Sequence, residues 1–161
     1  MKKILLLTLL CSTVAFAQIP CAGGMAGGYP CDDYTLMSNI PLSTFNANSS
    51  SDSWGWTDPD SGKEYAIIGL RNGSAYIDIS DPLNPIYLGR LTSPALDEFR
   101  GNWHDVKVYN NHAFIVADNA GSHGMQVFDL TKLRTANSST LHAPDKIYTD
   151  VTSCHNIFIN E

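Results

Sequence analysis

From Trp54 onward, short apolar runs alternate with clusters of Gly, Pro, Asn, Asp and Ser. Asn72-Gly73 lies between two such runs and is a strong hairpin signal. No segment of this region keeps the 3.6-residue period of an amphipathic helix. The pattern therefore predicts antiparallel β-strands at 65–70, 75–79 and 86–91, and again at 104–109, 112–117 and 125–130.

The strand pattern repeats along the chain. Residues 76–80 resemble 127–131, and residues 103–106 resemble 154–157, so both matches lie 51 positions apart. About four short strands in a unit of roughly 50 residues are typical of a propeller blade. We therefore predict an all-β, β-propeller-like fold with about two blades and the first strand of a third. A plain β-sandwich with accidental similarity is the alternative.

The N-terminus has the pattern of a secretory signal peptide over residues 1–17. Lys2 and Lys3 precede an apolar run at 4–16, and Ala15-Phe16-Ala17 is a small-x-small cleavage signal. The run is shorter than the roughly 20 residues that cross a bilayer, which disfavours the alternative of a membrane anchor. No other apolar run is long enough to span a membrane. We therefore predict an exported protein, secreted or held at the cell surface.

Export changes what the cysteines can do, because disulfides persist in oxidising compartments. Cys21 and Cys31 bracket a Gly-rich segment with little core of its own, and we predict a disulfide between them. Cys154 is then either a buried thiol or a residue whose partner lies beyond Glu161. The predicted organisation is a signal peptide at 1–17, a disulfide-pinned segment at 18–53 and the repeats at 54–161.

Composition narrows the class of partner. The chain is 43% hydrophobic and 16% charged, which is too apolar for a disordered protein. Sixteen acidic residues against ten basic ones give a net charge of −6, and no block of Lys and Arg occurs. A nucleic-acid partner is therefore not expected.

Two histidine-containing pairs occupy equivalent positions of the repeat, His104-Asp105 and His155-Asn156. Equivalent residues of successive blades lie around one axis, so these side chains could line a channel and bind a metal such as zinc, or an anion. The alternative is that each histidine satisfies a buried backbone group or a neighbouring blade.

A second candidate site is the acidic segment 58–64. Asp58, Asp60 and Glu64 resemble the start of a calcium loop, although the full twelve-residue pattern is missing. A polar turn between two strands explains the same residues and is favoured. Asp78 and Asp129 recur at the ends of matching strands, where we expect each to accept a backbone N–H of the following turn.

Long segments of the chain are similar to the LVIVD-repeat proteins, and in particular to the secreted bacterial choice-of-anchor B family. The similar segments are 54–59, 64–66, 75–85, 103–109 and 123–130, together with the stretch from Cys21 to Leu42. The resemblance implies a β-propeller-like array, export, and attachment by a C-terminal anchor. It implies no particular reaction. Because the chain ends within the third repeat, we expect it to be the N-terminal fragment of a longer protein.

Two functions follow as expectations. The first is a secreted or surface-anchored binding or adhesion module, with an extracellular protein or glycan as its partner. The second is an exported, metal-dependent propeller hydrolase that uses His104, Asp105, His155 and Asn156. No Gly-x-Ser-x-Gly motif or strand-linked phosphate loop supports other chemistry.

Overall fold

A computed structural model describes residues 18–94 and 103–160, so the predicted signal peptide at 1–17 lies outside the described residues. The chain divides into two compact units, Met1–Met37 and Ser38–Glu161. The predicted segment 18–53 therefore covers the described part of the first unit and the beginning of the second.

The described part of the first unit is a small antiparallel structure closed by a disulfide. Strands β1 (Met25–Ala26) and β2 (Tyr29–Pro30) pair antiparallel across a tight turn. Gly27 in this turn has a φ of 62°, a conformation that glycine adopts without strain. Cys21 and Cys31 form the predicted disulfide, with their Cα atoms 5.9 Å apart.

The second unit begins with a 3₁₀ helix at Leu42–Phe45 and a five-stranded sheet. The strands of this sheet are β3 (Ser50–Thr57), β4 (Glu64–Leu70), β5 (Gly73–Asp78), β6 (Ile86–Thr92) and β10 (Leu141–His142). Strands β3 to β6 pair antiparallel in chain order, and the short strand β10 pairs parallel with β6.

The second sheet has four antiparallel strands, β7 (Trp103–Tyr109), β8 (His112–Asp118), β9 (Met125–Asp129) and β11 (Lys146–Tyr148). Their order in the sheet is β11-β9-β8-β7. A 3₁₀ helix at Leu130–Thr135 follows β9, and the chain then forms β10 in the first sheet before it forms β11 in the second.

The all-β class and the six predicted strands are confirmed, with boundaries that differ by only a few residues. Strand β3 begins at Ser50, before the predicted start of the repeats at Trp54. The predicted first strand of a third blade is wrong for the described residues 154–160, which form no strand. This segment contacts the second sheet through single hydrogen bonds, such as Cys154 N to Ala117 O, and not through a continuous ladder.

The main hydrophobic core lies between the two sheets and draws side chains from both. Tyr76 of β5 packs against Phe128 of β9, with ring centroids 4.9 Å apart. A second cluster lies on the other face of the first sheet, where Phe45 of the 3₁₀ helix covers Leu70 and Ile77. Strand β5 is buried along its whole length because both faces of its sheet are covered. The main cluster comprises Trp56, Tyr65, Ile67, Tyr76, Leu88, Leu91, Val106, Ala113, Ile115, Phe128, Leu130 and Leu133.

The first strand of each sheet carries an aspartate whose side chain accepts a hydrogen bond from a backbone amide of the next repeat. Asp52 of β3 accepts a hydrogen bond from the Val106 amide of β7, at 3.0 Å. Asp105 occupies the matching position in β7 and accepts from the Ile157 amide, at 2.6 Å. The same bond is thus made twice at equivalent repeat positions. We call this pair of bonds the aspartate staples.

Gly69 of β4 lies close to His104 of β7, near the aspartate staples. A Cβ atom at this position would lie 2.9 Å from the Cβ of His104 and 3.1 Å from the Oγ of Ser51. A residue larger than glycine would therefore push β7 away from the first sheet.

Replacing Asp52 with Ala should destabilise the protein by about 1–3 kcal/mol, because the buried Val106 amide loses its acceptor. Asp52→Asn keeps a side-chain oxygen at the same position and should retain most of the stability. Asp150→Ala, at an exposed position, is the control. Urea unfolding measures the three differences, and equal stabilities for the Ala and Asn variants would contradict the staple.

Gly69→Ala should destabilise the protein by about 1–3 kcal/mol through overpacking between the sheets. Gly55→Ala in the neighbouring strand is the matched control, because its Cβ would meet nothing closer than a backbone oxygen at 3.9 Å. Thermal unfolding of both variants tests the close approach. A Gly69→Ala variant as stable as Gly55→Ala would show that the sheets are not in tight contact there.

Candidate functional site

Strand β7 contains the first predicted pair, His104-Asp105. Their two side chains point to opposite sides of the sheet because side chains alternate along a strand. His104 and Asp105 are both buried. They consequently have different surroundings and cannot share a ligand from one side of the sheet.

Asp105 is a structural carboxylate. Burial raises its pKa, but hydrogen bonds from Lys107 Nζ and the Ile157 amide outweigh burial, and the net pKa is lowered. Lys107 Nζ also lies 3.7 Å from Asp52 Oδ2, so one ammonium group serves both staple carboxylates. The ammonium of Lys107 offsets one of the two negative charges and links the first strands of the two sheets.

His104 packs against a histidine that the sequence analysis did not single out as a ligand, His123. The ring centroids are 5.4 Å apart and the planes are inclined by 78°. His104 is 3% exposed and His123 is 0% exposed. Burial lowers the pKa of His104 to about 4, with His123 as the second cause, and burial also lowers the pKa of His123. Both rings are therefore neutral at neutral pH.

The second predicted pair lies elsewhere. His155 is exposed, and its Nδ1 lies 2.8 Å from the Asp118 carboxylate at the end of β8. Asn156 is exposed, and its backbone oxygen accepts a bond from Cys154 Sγ at 3.0 Å. The structure brings His104 to His123 and His155 to Asp118, and it shows no contact that unites the four predicted residues within the described ranges.

Asp58 of the predicted calcium loop is fully buried and faces an arginine instead. Arg134 donates from Nε to Oδ2 at 2.9 Å and from Nη2 to Oδ1 at 2.5 Å. The guanidinium holds the pKa of Asp58 well below its usual range. Asp60 Oδ2 lies 2.8 Å from Arg134 Nη2 and forms a second ion pair with the same guanidinium. Ser61 Oγ donates a hydrogen bond to Asp58 Oδ2 at 2.6 Å. Glu64 opens β4, where its amide donates to Ser80 Oγ.

This arrangement supports the turn interpretation of 58–64. Across residues 18–94 and 103–160, no three His, Cys, Asp or Glu side chains are placed to hold a metal ion together. The sequence contained no local signal for Arg134, since 76 positions separate it from Asp58. The pairing arises from the packing of the helix after β9 against the turn after β3.

The prediction for the repeated strand-end aspartates is confirmed. Asp78 Oδ1 accepts from the Ser80 amide at 3.0 Å, and Asp129 Oδ1 accepts from the Thr131 amide at 2.9 Å. Both carboxylates therefore cap the turn that follows their strand.

Exposed aromatic residues lie at both ends of β7. Trp103 is 60% exposed and Tyr109 is 47% exposed, and alternation along the strand puts them on the same side as Lys107. Trp54 of β3 is 43% exposed, and Lys107 Nζ lies 4.5 Å from its ring centroid. We call Trp54, Trp103, Lys107 and Tyr109 the aromatic edge.

No protein-family model, curated protein or solved structure matches this chain. The resemblance to LVIVD-repeat proteins therefore stays a prediction. Within the described part of the chain, no helix is long and apolar enough to cross a membrane.

Replacing Arg134 with Met should lower the melting temperature by at least about 5 °C near pH 7, because Asp58 is left buried without its cation. The folded-state pKa of Asp58 is depressed, so the pair stabilises the protein above the unfolded-state value of about 4. That stability is lost as the pH falls through the folded-state pKa.

The difference in melting temperature between wild type and Arg134→Met should therefore narrow between about pH 5 and pH 2. Arg71→Met, at a half-buried arginine of the first sheet, is the control and should follow the wild-type curve. A constant difference across the acid range would contradict the proposed role of the ion pair.

Proposed function

We propose that this chain is a binding module of an exported protein, with a β-propeller-like array as its scaffold and an extracellular glycan as its partner. The observation that carries the proposal is the aromatic edge, which places exposed rings beside a lysine on the first strands of two consecutive sheets.

The order of the strands supports the scaffold. Each sheet contains a meander of successive antiparallel strands, and the two first strands, β3 and β7, are neighbours. The aspartate staples repeat at equivalent positions of β3 and β7. A repeated bond between consecutive units is typical of a repeat protein, in which each unit contacts the next in the same way.

Export is supported by the first unit. The Cys21–Cys31 disulfide closes a short Gly-rich loop, and such bonds are typical of proteins from oxidising compartments. An extracellular partner is consistent with this chemistry.

The aromatic edge suits a sugar ligand. Tyr and Trp present a flat apolar body with a polar group at one end, so they contact the C–H face of a sugar and still hydrogen-bond at the rim. Trp103 and Tyr109 begin and end a seven-residue strand, which extends for roughly 20 Å. An extended oligosaccharide could therefore contact both rings.

The alternative of a metal-dependent hydrolase receives less support. It requires His104, Asp105, His155 and Asn156 in one site, whereas His104 is buried against His123 and His155 is exposed beside Asp118. Asp105 is already bonded to Lys107 and to the Ile157 amide.

Affinity electrophoresis of the purified chain through gels containing xylan, hydroxyethyl cellulose or glycol chitin tests the proposal. We expect at least one polysaccharide to retard the wild type, and Trp103→Ala and Tyr109→Ala each to weaken the retardation at least about tenfold, because each removes a stacking surface. Phe158→Ala and Tyr34→Ala, at exposed aromatic residues outside the edge, are the controls.

Absence of retardation by any polysaccharide would overturn the glycan assignment, as would retardation that both edge variants retain. Binding to an immobilised extracellular protein, lost in the edge variants and without any glycan binding, would replace the glycan by a protein partner.

A further inference from the structure

His104 and His123 hold three buried ring nitrogens that have no hydrogen-bond partner among residues 18–94 and 103–160. They are Nδ1 and Nε2 of His104 and Nε2 of His123. Most buried polar side-chain atoms in folded proteins are partnered, and a cluster of exceptions requires an explanation such as an ion or a water molecule. The two rings are in contact, so the three unpartnered nitrogens belong to one place in the fold.

The tautomer of His123 is determined by its surroundings. Nδ1 lies 2.9 Å from the carbonyl oxygen of Gly124, and a carbonyl can only accept. Nδ1 therefore carries the proton, and Nε2 of the neutral ring presents a lone pair. A ligating histidine commonly donates its other N–H to a backbone carbonyl in this way, which orients the ring and raises its basicity.

The separation of the rings suits two ligands of one ion. Zinc–nitrogen bonds are about 2.0–2.1 Å long, and a ring nitrogen lies about 1.2 Å from the ring centre. Two imidazoles on one ion at the observed centroid distance of 5.4 Å would subtend an N–metal–N angle of roughly 115°. This angle lies between tetrahedral and trigonal geometry.

We propose that His104 and His123 are the two protein ligands of a divalent transition-metal ion, of which zinc is the type, with water in the remaining coordination positions. Neutral imidazole is a preferred ligand of zinc and copper. The site differs from the predicted one, because His123 replaces His155 as the partner of His104. It is independent of the glycan proposal, since neither histidine belongs to the aromatic edge.

Two elements position the ligands. His104 is the second residue of β7, where the Ser51 hydroxyl accepts from its backbone amide at 3.0 Å. His123 lies in the loop between β8 and β9, just before Gly124. Gly124 has a φ of 72°, and a Cβ there would lie 2.5 Å from the Tyr148 oxygen. The loop is thus held against β11, and the carbonyl that binds His123 is held with it.

Equilibrium dialysis of the untagged chain against Zn²⁺, with the metal content of the protein measured afterwards, tests the proposal. A background with both Cys11→Ser and Cys154→Ser removes the two cysteines outside the Cys21–Cys31 disulfide, because a thiol could bind zinc by itself. We expect one equivalent of Zn²⁺ per chain, and its loss in His104→Phe and in His123→Phe. His155→Ala, at an exposed histidine with a carboxylate partner, should retain the full equivalent.

Ring ¹⁵N spectra of the unmutated chain give a readout that does not depend on variants that fold. Added Zn²⁺ should shift the nitrogens of two of the five histidines and leave the other three unchanged. Co²⁺ in place of zinc should give the intense visible absorption of a four-coordinate site.

Three results would overturn the assignment. They are no zinc uptake by the wild type, retention of zinc by both Phe variants, and loss of zinc in His155→Ala. Any of them would leave a buried water molecule as the partner of the three nitrogens.

Discussion

The hydrogen bond from the Val106 amide of β7 to the Asp52 carboxylate of β3 is a central contact between the two sheets of this protein. A sheet edge leaves backbone N–H groups without partners, and burial of such an edge is costly unless something accepts from it. Asp52 meets this requirement for Val106 at the edge of the second sheet, and Asp105 accepts in the same way from the amide of Ile157, which lies outside the two sheets. Lys107 offsets part of the negative charge that the two carboxylates bring to the interface.

Other links between the two sheets reinforce this contact. The chain leaves the second sheet after β9, adds β10 to the first sheet and returns to the second sheet as β11. The segment from β9 to β11 therefore connects the two sheets. Arg134 bonds to Asp58, and Gln126 Nε2 donates to the Thr92 oxygen at 3.0 Å. These polar bonds surround an apolar core that neither sheet could bury alone.

The buried polar groups of this interface are of two kinds. Asp58 and Asp105 are buried with cationic or amide partners, which accounts for their burial as structural charges. The rings of His104 and His123 are as deeply buried, yet three of their nitrogens lack a partner within the described part of the chain. The contrast separates side chains that hold the fold together from those that are available for a ligand. It also explains why adjacent residues of β7 have different roles.

The sequence by itself determined the six strands β4 to β9, the Asn72-Gly73 turn, the disulfide loop and the aspartate caps at Asp78 and Asp129. Each of these depends on alternation, turn chemistry or a hydrogen bond to a residue a few positions away. Only the tertiary structure decided the partners of Asp58, Asp105 and His104, and it also placed β10 and β11, which are two and three residues long. Such pairs join positions far apart in the chain. Their contact depends on how two sheets pack, and no local pattern records that packing.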